Sequence, residues 1–174
     1  DFDPMIAKVI SIGKTRTDAA NKLALALESL HIGGVITNRD FLVASLRSDE
    51  FHQGLTTSDF IEKVDPQRKI PMVGETLKLA SSVAALWIQG LNRNNSKTLN
   101  QIPSGWRNSR LPRQKLSFKC LEEEATITYQ IRRDGSFDLN EESIAKIFNW
   151  KESVIDIEID GQRFFSKVTK NNKT

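Results

Sequence analysis

The chain has 174 residues, of which 39% are hydrophobic and 27% charged, with 25 Lys and Arg against 22 Asp and Glu. This length allows one domain or two small ones, and the apolar content excludes a wholly disordered chain. A lone cysteine, Cys120, excludes an internal disulfide and a zinc site built from cysteines. No apolar run approaches the roughly 20 residues of a membrane span, and no signal peptide opens the sequence, so we expect a soluble intracellular protein.

The first 64 residues predict an α+β unit. Residues 5–12 are β-prone and end at Gly13, which predicts a buried strand. Thr17 is predicted to cap a helix that ends at Gly33-Gly34, and Asn38 to cap a second one. The residues expected to face inward are Ala20, Leu23, Leu27, Leu30, Phe41, Leu42, Ser45 and Leu46.

The composition changes at residues 65–71. This stretch, DPQRKIP, has two prolines and three charges in seven residues, which predicts a linker.

A helical stripe of apolar residues follows the linker. Small Ala and Ser residues lie between the large ones, so we expect this helix to be buried on more than one side. The stripe consists of Leu77, Ala80, Ala84, Trp87 and Leu91.

Residues 92–114 show little periodicity and contain several turn formers. Loops of this length inside a compact domain are uncommon and are usually functional or disordered. Trp106 lies in the middle with arginines around it, a combination frequent at protein interfaces. Two interpretations stay open: the segment presents Trp106 to a partner, or Trp106 folds back onto its own domain.

Short alternating strands are predicted from Lys115 onward. Asp134-Gly135 and Asp160-Gly161 are hairpin turn signals between them. A long apolar helix followed by antiparallel strands predicts a β-barrel wrapped around a central helix.

No acidic residue occurs between Glu75 and Glu122, an interval that holds eight Lys and Arg residues. Such a one-signed stretch is either a solvated surface or a surface that faces a partner. A nucleic-acid-binding barrel module that uses the basic 76–121 segment is therefore the alternative to a protein-binding role, although no RNA-binding signature is present.

No self-sufficient active site is visible. Gly13-Lys14-Thr15 resembles part of a phosphate loop, but the position of the required first glycine holds Lys8. His31 and His52 have no partner at metal-ligand spacing, and we expect Cys120 to be a buried, inert thiol. A stand-alone enzyme is therefore the least supported class.

The N-terminal unit carries an ordered set of motifs. They are Asp3-Pro4-Met5-Ile6-Ala7-Lys8-Val9-Ile10, Gly13, Arg16, Gly33-Gly34-Val35-Ile36-Thr37-Asn38, Phe41-Leu42, Phe51-His52-Gln53-Gly54, Thr57 and Phe60-Ile61. This set resembles the C-terminal domain of biotin carboxylase over residues 1–64. One departure is Phe2, where that family usually has Tyr.

The second half agrees with the resemblance in the order of its elements. A helix with Ala-Ala-Leu-Trp at 84–87, a loop with Gly-Trp-Arg-Asn at 105–108 and short strands resemble the bridging (BT) domain of propionyl-CoA-type carboxylase α subunits. The resemblance implies residues 1–64 of a carboxylase domain, a linker at 65–71 and a bridging domain at 72–174. It also implies a fragment without its own activity, which comes from inside a longer chain.

The resemblance further implies partners and cofactors. The parent enzyme would use biotin, ATP and Mg²⁺ or Mn²⁺, none of them bound by this fragment, and would be cytoplasmic, or located in the mitochondrial matrix of a eukaryote. The fragment would bind the carboxyltransferase β subunit and the carboxylase and biotin-carrier regions of its own polypeptide. It would bind neither nucleic acid nor a membrane. Asp3 is expected to support the carboxylase site. The expected partner-binding residues are Ile102, Trp106, Arg107, Asn108 and Arg110.

Overall fold

The computed structural model describes residues 4–98, 102, 112–120 and 122–170. The chain divides into two compact units, Asp1–Pro71 and Met72–Thr174. The described part of the first unit is helical, whereas the second has one long helix followed by strands. Each unit has its own hydrophobic core, so each is described separately.

The first unit is built around two packed helices. Its helices are α1 (Arg16–Ser29), α2 (Arg39–Arg47), α3 (Asp49–Gln53) and α4 (Phe60–Val64). The core that joins α1 and α2 consists of Ala20, Ala24, Leu27, Val43 and Leu46. At the surface, the Arg47 guanidinium donates two hydrogen bonds of 2.8 Å to the Glu28 carboxylate.

The start of α1 differs from the sequence prediction. Thr15 is the cap, because its hydroxyl accepts a hydrogen bond of 3.1 Å from the Asp18 N–H. Thr17 lies inside the helix, so its predicted role as the cap is wrong. The helix ends at Ser29, before Gly33-Gly34, while Asn38 occupies the predicted cap position of α2.

Residues 5–12 do not form the buried strand that their composition predicts. Ile10 is 77% exposed and Ile12 is 86% exposed, and no strand is assigned to the described residues of this unit. A strand needs a neighbour to satisfy its backbone groups. The end of the segment is instead held to α1, where the Ser11 hydroxyl donates to the Ala19 carbonyl at 2.7 Å.

The second unit begins with α5 (Gly74–Asn94). Its strands are β1 (Gln114–Cys120), β2 (Glu123–Ile131), β3 (Phe137–Leu139), β4 (Ser143–Lys151), β5 (Val154–Ile159) and β6 (Gln162–Lys167). Each strand pairs antiparallel with the next, so β1 and β6 are the edges of the six-stranded sheet. The register of β4 and β5 shifts between Ile147 and Asn149, and the sheet curls into half a barrel.

The core of this unit lies between α5 and one face of the sheet. Helix α5 packs against β1, β2 and β5. The alternating pattern of β5 places Ile155, Ile157 and Ile159 in the core together with Leu86 and Trp87 of α5. The predicted helix-and-sheet association is therefore present. That the sheet encloses α5 completely stays a prediction.

Tight turns set the register of the hairpins. Asp160 and Gly161 both have positive φ, 49° and 82°, as the predicted Asp-Gly hairpin requires. A further turn of this kind joins β3 to β4 at Asn140 and Glu141, with φ of 52° and 65°. The sequence did not predict this turn, because neither residue is glycine; β4 behind it was not predicted either.

Candidate partner-binding segment

The predicted partner-binding residues lie between α5 and β1. Helix α5 ends in a regular turn, where the Asn95 N–H donates to the Leu91 carbonyl at 3.0 Å. Ile102 is described by the structure. Four of the predicted residues, Trp106, Arg107, Asn108 and Arg110, lie outside the described residues, and so does Asp3. The choice between a partner surface and an internal plug for Trp106 therefore stays open.

Ile102 is fastened to the end of the helix. Its carbonyl oxygen accepts a hydrogen bond of 2.7 Å from Nη2 of Arg93, in the last turn of α5. Both residues are half-buried. A bond from an ionised donor is stronger than a neutral one, so this contact ties Ile102 to the second unit.

Arg113 ties the other end of the segment to the sheet. Its guanidinium lies 3.1 Å from Asp138 of β3 and 3.1 Å from Glu141 of the following turn. The side chains of Arg113 and Asp138 are only 22% and 24% exposed. The hydrogen bond to Asp138 raises the pKa of Arg113.

Some cations of residues 76–121, the stretch without acidic residues, are paired with carboxylates outside it. Lys78 forms an ion pair with Glu142, and the hydrogen bond to that carboxylate raises the pKa of Lys78. Together with the paired Arg113, this shows that acids of the sheet compensate cations of the stretch. Lys97 and Lys115 are exposed. The choice between a solvated surface and a partner-facing one, nucleic acid included, therefore stays open.

The phosphate-loop resemblance at Gly13 has a structural explanation. A Cβ at Gly13 would lie 2.4 Å from the Ala19 nitrogen, so glycine is required by the close approach of the chain to α1. The Asp18 carboxylate already accepts a hydrogen bond of 3.0 Å from the Lys14 N–H. The start of α1 is thus satisfied by its own side chain rather than prepared for a phosphate.

The next features concern metal binding, membrane spanning and the lone cysteine in the described residues. Within ranges 4–98, 112–120 and 122–170, no group of three or more His, Cys, Asp or Glu side chains could hold a metal ion. In the same part of the chain, no helix is long and apolar enough to cross a membrane. Cys120, which was predicted to be buried, is half-buried at the end of β1.

A cavity of about 370 Å³ lies beside β6, and the sequence analysis did not predict it. Leu79 of α5, Ile159 of β5 and Phe164 of β6 supply apolar walls. Glu75 and Asp160 contribute carboxylates to its lining. Because these residues are distant in sequence, only the packing of α5 on the sheet brings them together.

Comparison with known proteins gives a match for the first unit. Residues 1–63 match the family described as Biotin carboxylase C-terminal domain. Biotin carboxylase 2 of Bacillus subtilis is 40% identical over 62 residues, which are 36% of this chain and 14% of that protein. The mitochondrial methylcrotonoyl-CoA carboxylase subunit alpha of Oryza sativa is 39% identical over 62 residues, 36% of this chain and 8% of that protein.

The mitochondrial pyruvate carboxylase of Rattus norvegicus is 36% identical over 62 residues, 36% of this chain and 5% of that protein. The chain thus spans only a small part of each of these relatives. The family match ends at residue 63, close to the boundary between the two compact units. The first unit therefore resembles the C-terminal region of biotin-dependent carboxylases.

Proposed function

We propose that this chain is part of the α subunit of a biotin-dependent acyl-CoA carboxylase of the propionyl-CoA type. Its first unit would complete the biotin carboxylase domain. Its second unit would be the bridging domain that binds the carboxyltransferase β subunit. The parent enzyme would carboxylate biotin with ATP and bicarbonate and then transfer the carboxyl group to an acyl-CoA. Within that enzyme, the chain itself has a scaffolding and docking role.

The exposed apolar segment of the first unit supports a place in a larger domain. Met5, Ile6, Val9, Ile10 and Ile12 are each between 44% and 86% exposed. Apolar side chains on consecutive positions of an extended segment are typical of a strand covered on both faces. The remainder of a carboxylase domain would supply the neighbouring strands and the cover that the described residues of this unit lack.

The organisation of the second unit supports the bridging role. The observation that carries the proposal is the order of elements: the biotin carboxylase match is followed at once by a separate unit with a long helix, an intervening segment and an antiparallel sheet. The bridging domain that the sequence resembles has this order. A strand added at the free edge of β6 would cover the cavity beside Phe164 and continue the half-barrel.

The cofactors of the reaction belong, in this proposal, to other regions of the parent enzyme. We assign biotin, ATP and Mg²⁺ or Mn²⁺ to those regions and Asp3 to the support of the carboxylase site. The enzyme would act in the cytoplasm, or in the mitochondrial matrix of a eukaryote.

The proposal is tested by binding to the carboxyltransferase subunit from the same organism. We expect Trp106→Ala to weaken the affinity by about 2 kcal/mol or more, roughly 30-fold, because aromatic anchors dominate such interfaces. Phe165→Ala is the matched control, because it removes an aromatic ring that is 68% exposed on β6, outside the proposed contact. Titration calorimetry measures both dissociation constants.

Two results would contradict the proposal. One is the absence of binding by the unmodified chain. The other is an equal loss of affinity in Trp106→Ala and Phe165→Ala, since the anchor would then not lie in the segment between α5 and β1. Unchanged circular dichroism of each variant shows that a loss of affinity is not a loss of folding.

A further inference from the structure

The chain between α4 and α5 starts with a fixed turn. Asp65 ends α4 with a left-handed backbone, φ 43° and ψ 60°, and its N–H donates to the Ile61 carbonyl at 3.0 Å. A residue that precedes proline adopts this conformation only where its surroundings hold it there. The next residue, Pro66, is buried. The chain therefore leaves α4 along a defined path.

Two contacts then join this part of the chain to the start of α2. The Arg68 guanidinium lies 5.7 Å from the centre of the Phe41 ring, within the range of a cation–π contact. The Ile70 N–H donates to Oδ2 of the Asp40 carboxylate at 3.3 Å. Asp40 and Phe41 are both half-buried. Residues 65–70 thus form a strap over the first turn of α2.

Asp40 is held in place for this contact by its neighbour Arg39. Two nitrogens of the Arg39 guanidinium donate to Oδ1 of Asp40 at 3.1 and 3.0 Å. The third nitrogen donates to the Leu30 carbonyl, at the end of α1, at 3.1 Å. Oδ1 therefore bonds within the helical unit, whereas Oδ2 accepts from the strap. One carboxylate connects both helices with the strap.

We propose that the docking of this strap on α2 limits how far the two units of the chain can separate. With Ile70 held, three residues, 71–73, lie between the strap and the first residue of α5. With the strap released, that number rises to nine, 65–73. An extended chain spans at most about 3.5 Å per residue, so release raises the reach of this connection from roughly 10 Å to roughly 30 Å.

The strap is suited to open reversibly. Its contacts with Phe41 and Asp40 lie near the surface, where each shifts an equilibrium by only about two- to tenfold. The core between α1 and α2 contains neither of these residues. The strap can therefore leave α2 by local opening, without unfolding of the first unit.

Limited digestion of the full chain by trypsin measures release, because Arg68 and Lys69 are exposed cleavage sites within the strap. Asp40→Ala removes the acceptor of the strap hydrogen bond, and Phe41→Leu removes the ring but keeps an apolar side chain. We expect cleavage at these sites to become about three- to tenfold faster in Asp40→Ala and about two- to fivefold faster in Phe41→Leu. Asp40→Asn keeps an oxygen acceptor and should lie between Asp40→Ala and the unmodified chain.

Asp49→Ala is the matched control. Like Asp40, Asp49 is an acid in the first turn of a short helix, but it is exposed on α3. Its replacement should leave cleavage at Arg68 and Lys69 unchanged. Small-angle X-ray scattering of the same proteins measures the separation of the units. We expect the radius of gyration to rise in Asp40→Ala and Phe41→Leu but not in Asp49→Ala.

Three results would overturn the proposal. One is unchanged cleavage in both Asp40→Ala and Phe41→Leu, which would show that these contacts do not hold the strap. Another is faster cleavage with an unchanged radius of gyration, because the strap would then not limit separation. The third is an equal acceleration in Asp49→Ala. Unchanged circular dichroism shows that each variant is folded. None of these measurements uses the carboxyltransferase subunit, so the proposed function is tested separately.

Discussion

Trp87 and Trp150 fasten the long helix of the second unit to its sheet. The Trp150 indole N–H donates to the Trp87 carbonyl at 3.1 Å, and the Trp87 indole N–H donates to the Lys151 carbonyl at 3.2 Å. The two rings lie 6.4 Å apart and are tilted by 32°. The buried Trp87 indole and the half-buried Trp150 indole each obtain a polar partner, and these bonds hold α5 against β4.

Gly90 is the helix position that makes room for this contact. A Cβ at Gly90 would lie 2.4 Å from Nε1 of Trp150. Alanine raises helix propensity by about 1 kcal/mol, but overpacking of a filled core costs about 1–3 kcal/mol. We therefore expect Gly90→Ala to lower the free energy of unfolding of the second unit, measured by urea denaturation.

Two comparisons isolate the cause. Asn92→Ala, at an exposed position of α5, gains helix propensity without the clash and should be neutral or stabilising. In a Trp150→Leu background, Gly90→Ala should no longer destabilise, because the obstructing ring is gone. A destabilisation of the same size in both backgrounds would show that Trp150 is not the obstacle.

Asp160 should make the stability of the second unit depend on pH. Its carboxylate accepts a hydrogen bond of 2.9 Å from the Ile144 N–H, which, with a hydrogen bond from Ser143, lowers the pKa of Asp160 below 3.8. The stabilisation is therefore present above about pH 4 and is lost as the pH falls through the lowered pKa of the folded state. The contact joins the turn between β5 and β6 to Ile144 of β4.

Asp160→Asn tests this linkage. Asparagine keeps an acceptor and tolerates the positive φ of 49°, but it carries no charge to titrate. We expect the variant to be less stable at pH 7 and to lose less stability between pH 5 and pH 3, as measured by urea midpoints. Glu152→Gln, at an exposed turn, is the control and should not change the acid dependence. Equal acid dependence of Asp160→Asn and the unmodified chain would contradict the prediction.

The apolar segment of the first unit should be accessible in the isolated chain. Ile10 and Ile12 are 77% and 86% exposed, so Ile10→Thr together with Ile12→Thr removes exposed apolar surface. We expect weaker fluorescence of bound anilinonaphthalene sulfonate and an unchanged unfolding midpoint. Leu46→Ala, in the core between α1 and α2, is the contrast and should cost about 2–5 kcal/mol. A marked loss of stability in the double variant would show that this segment is packed.

The sequence predicted elements whose signals are local. The predicted strand Val154–Ile159 and the predicted turn at Asp160-Gly161 are both present. Both can be recognised locally, because the alternation of apolar and polar side chains and the preference for positive φ depend on neighbouring residues. Strand β4 was missed, since its bulge interrupts the alternation between Ile147 and Asn149. The strand predicted at residues 5–12 was wrong for the opposite reason: a β-prone composition does not supply a pairing partner.

The sequence by itself determined two things: ordered motifs in its first third that resemble a known family, and the absence of acidic residues between Glu75 and Glu122. The tertiary structure decided what those charges do. Lys78 meets Glu142, and Arg113 meets Asp138 and Glu141, only because the helix and the strands fold together. A motif consists of residues close together in sequence, so it can be recognised without the structure. An ion pair between residues far apart in sequence forms only when packing brings the two side chains together.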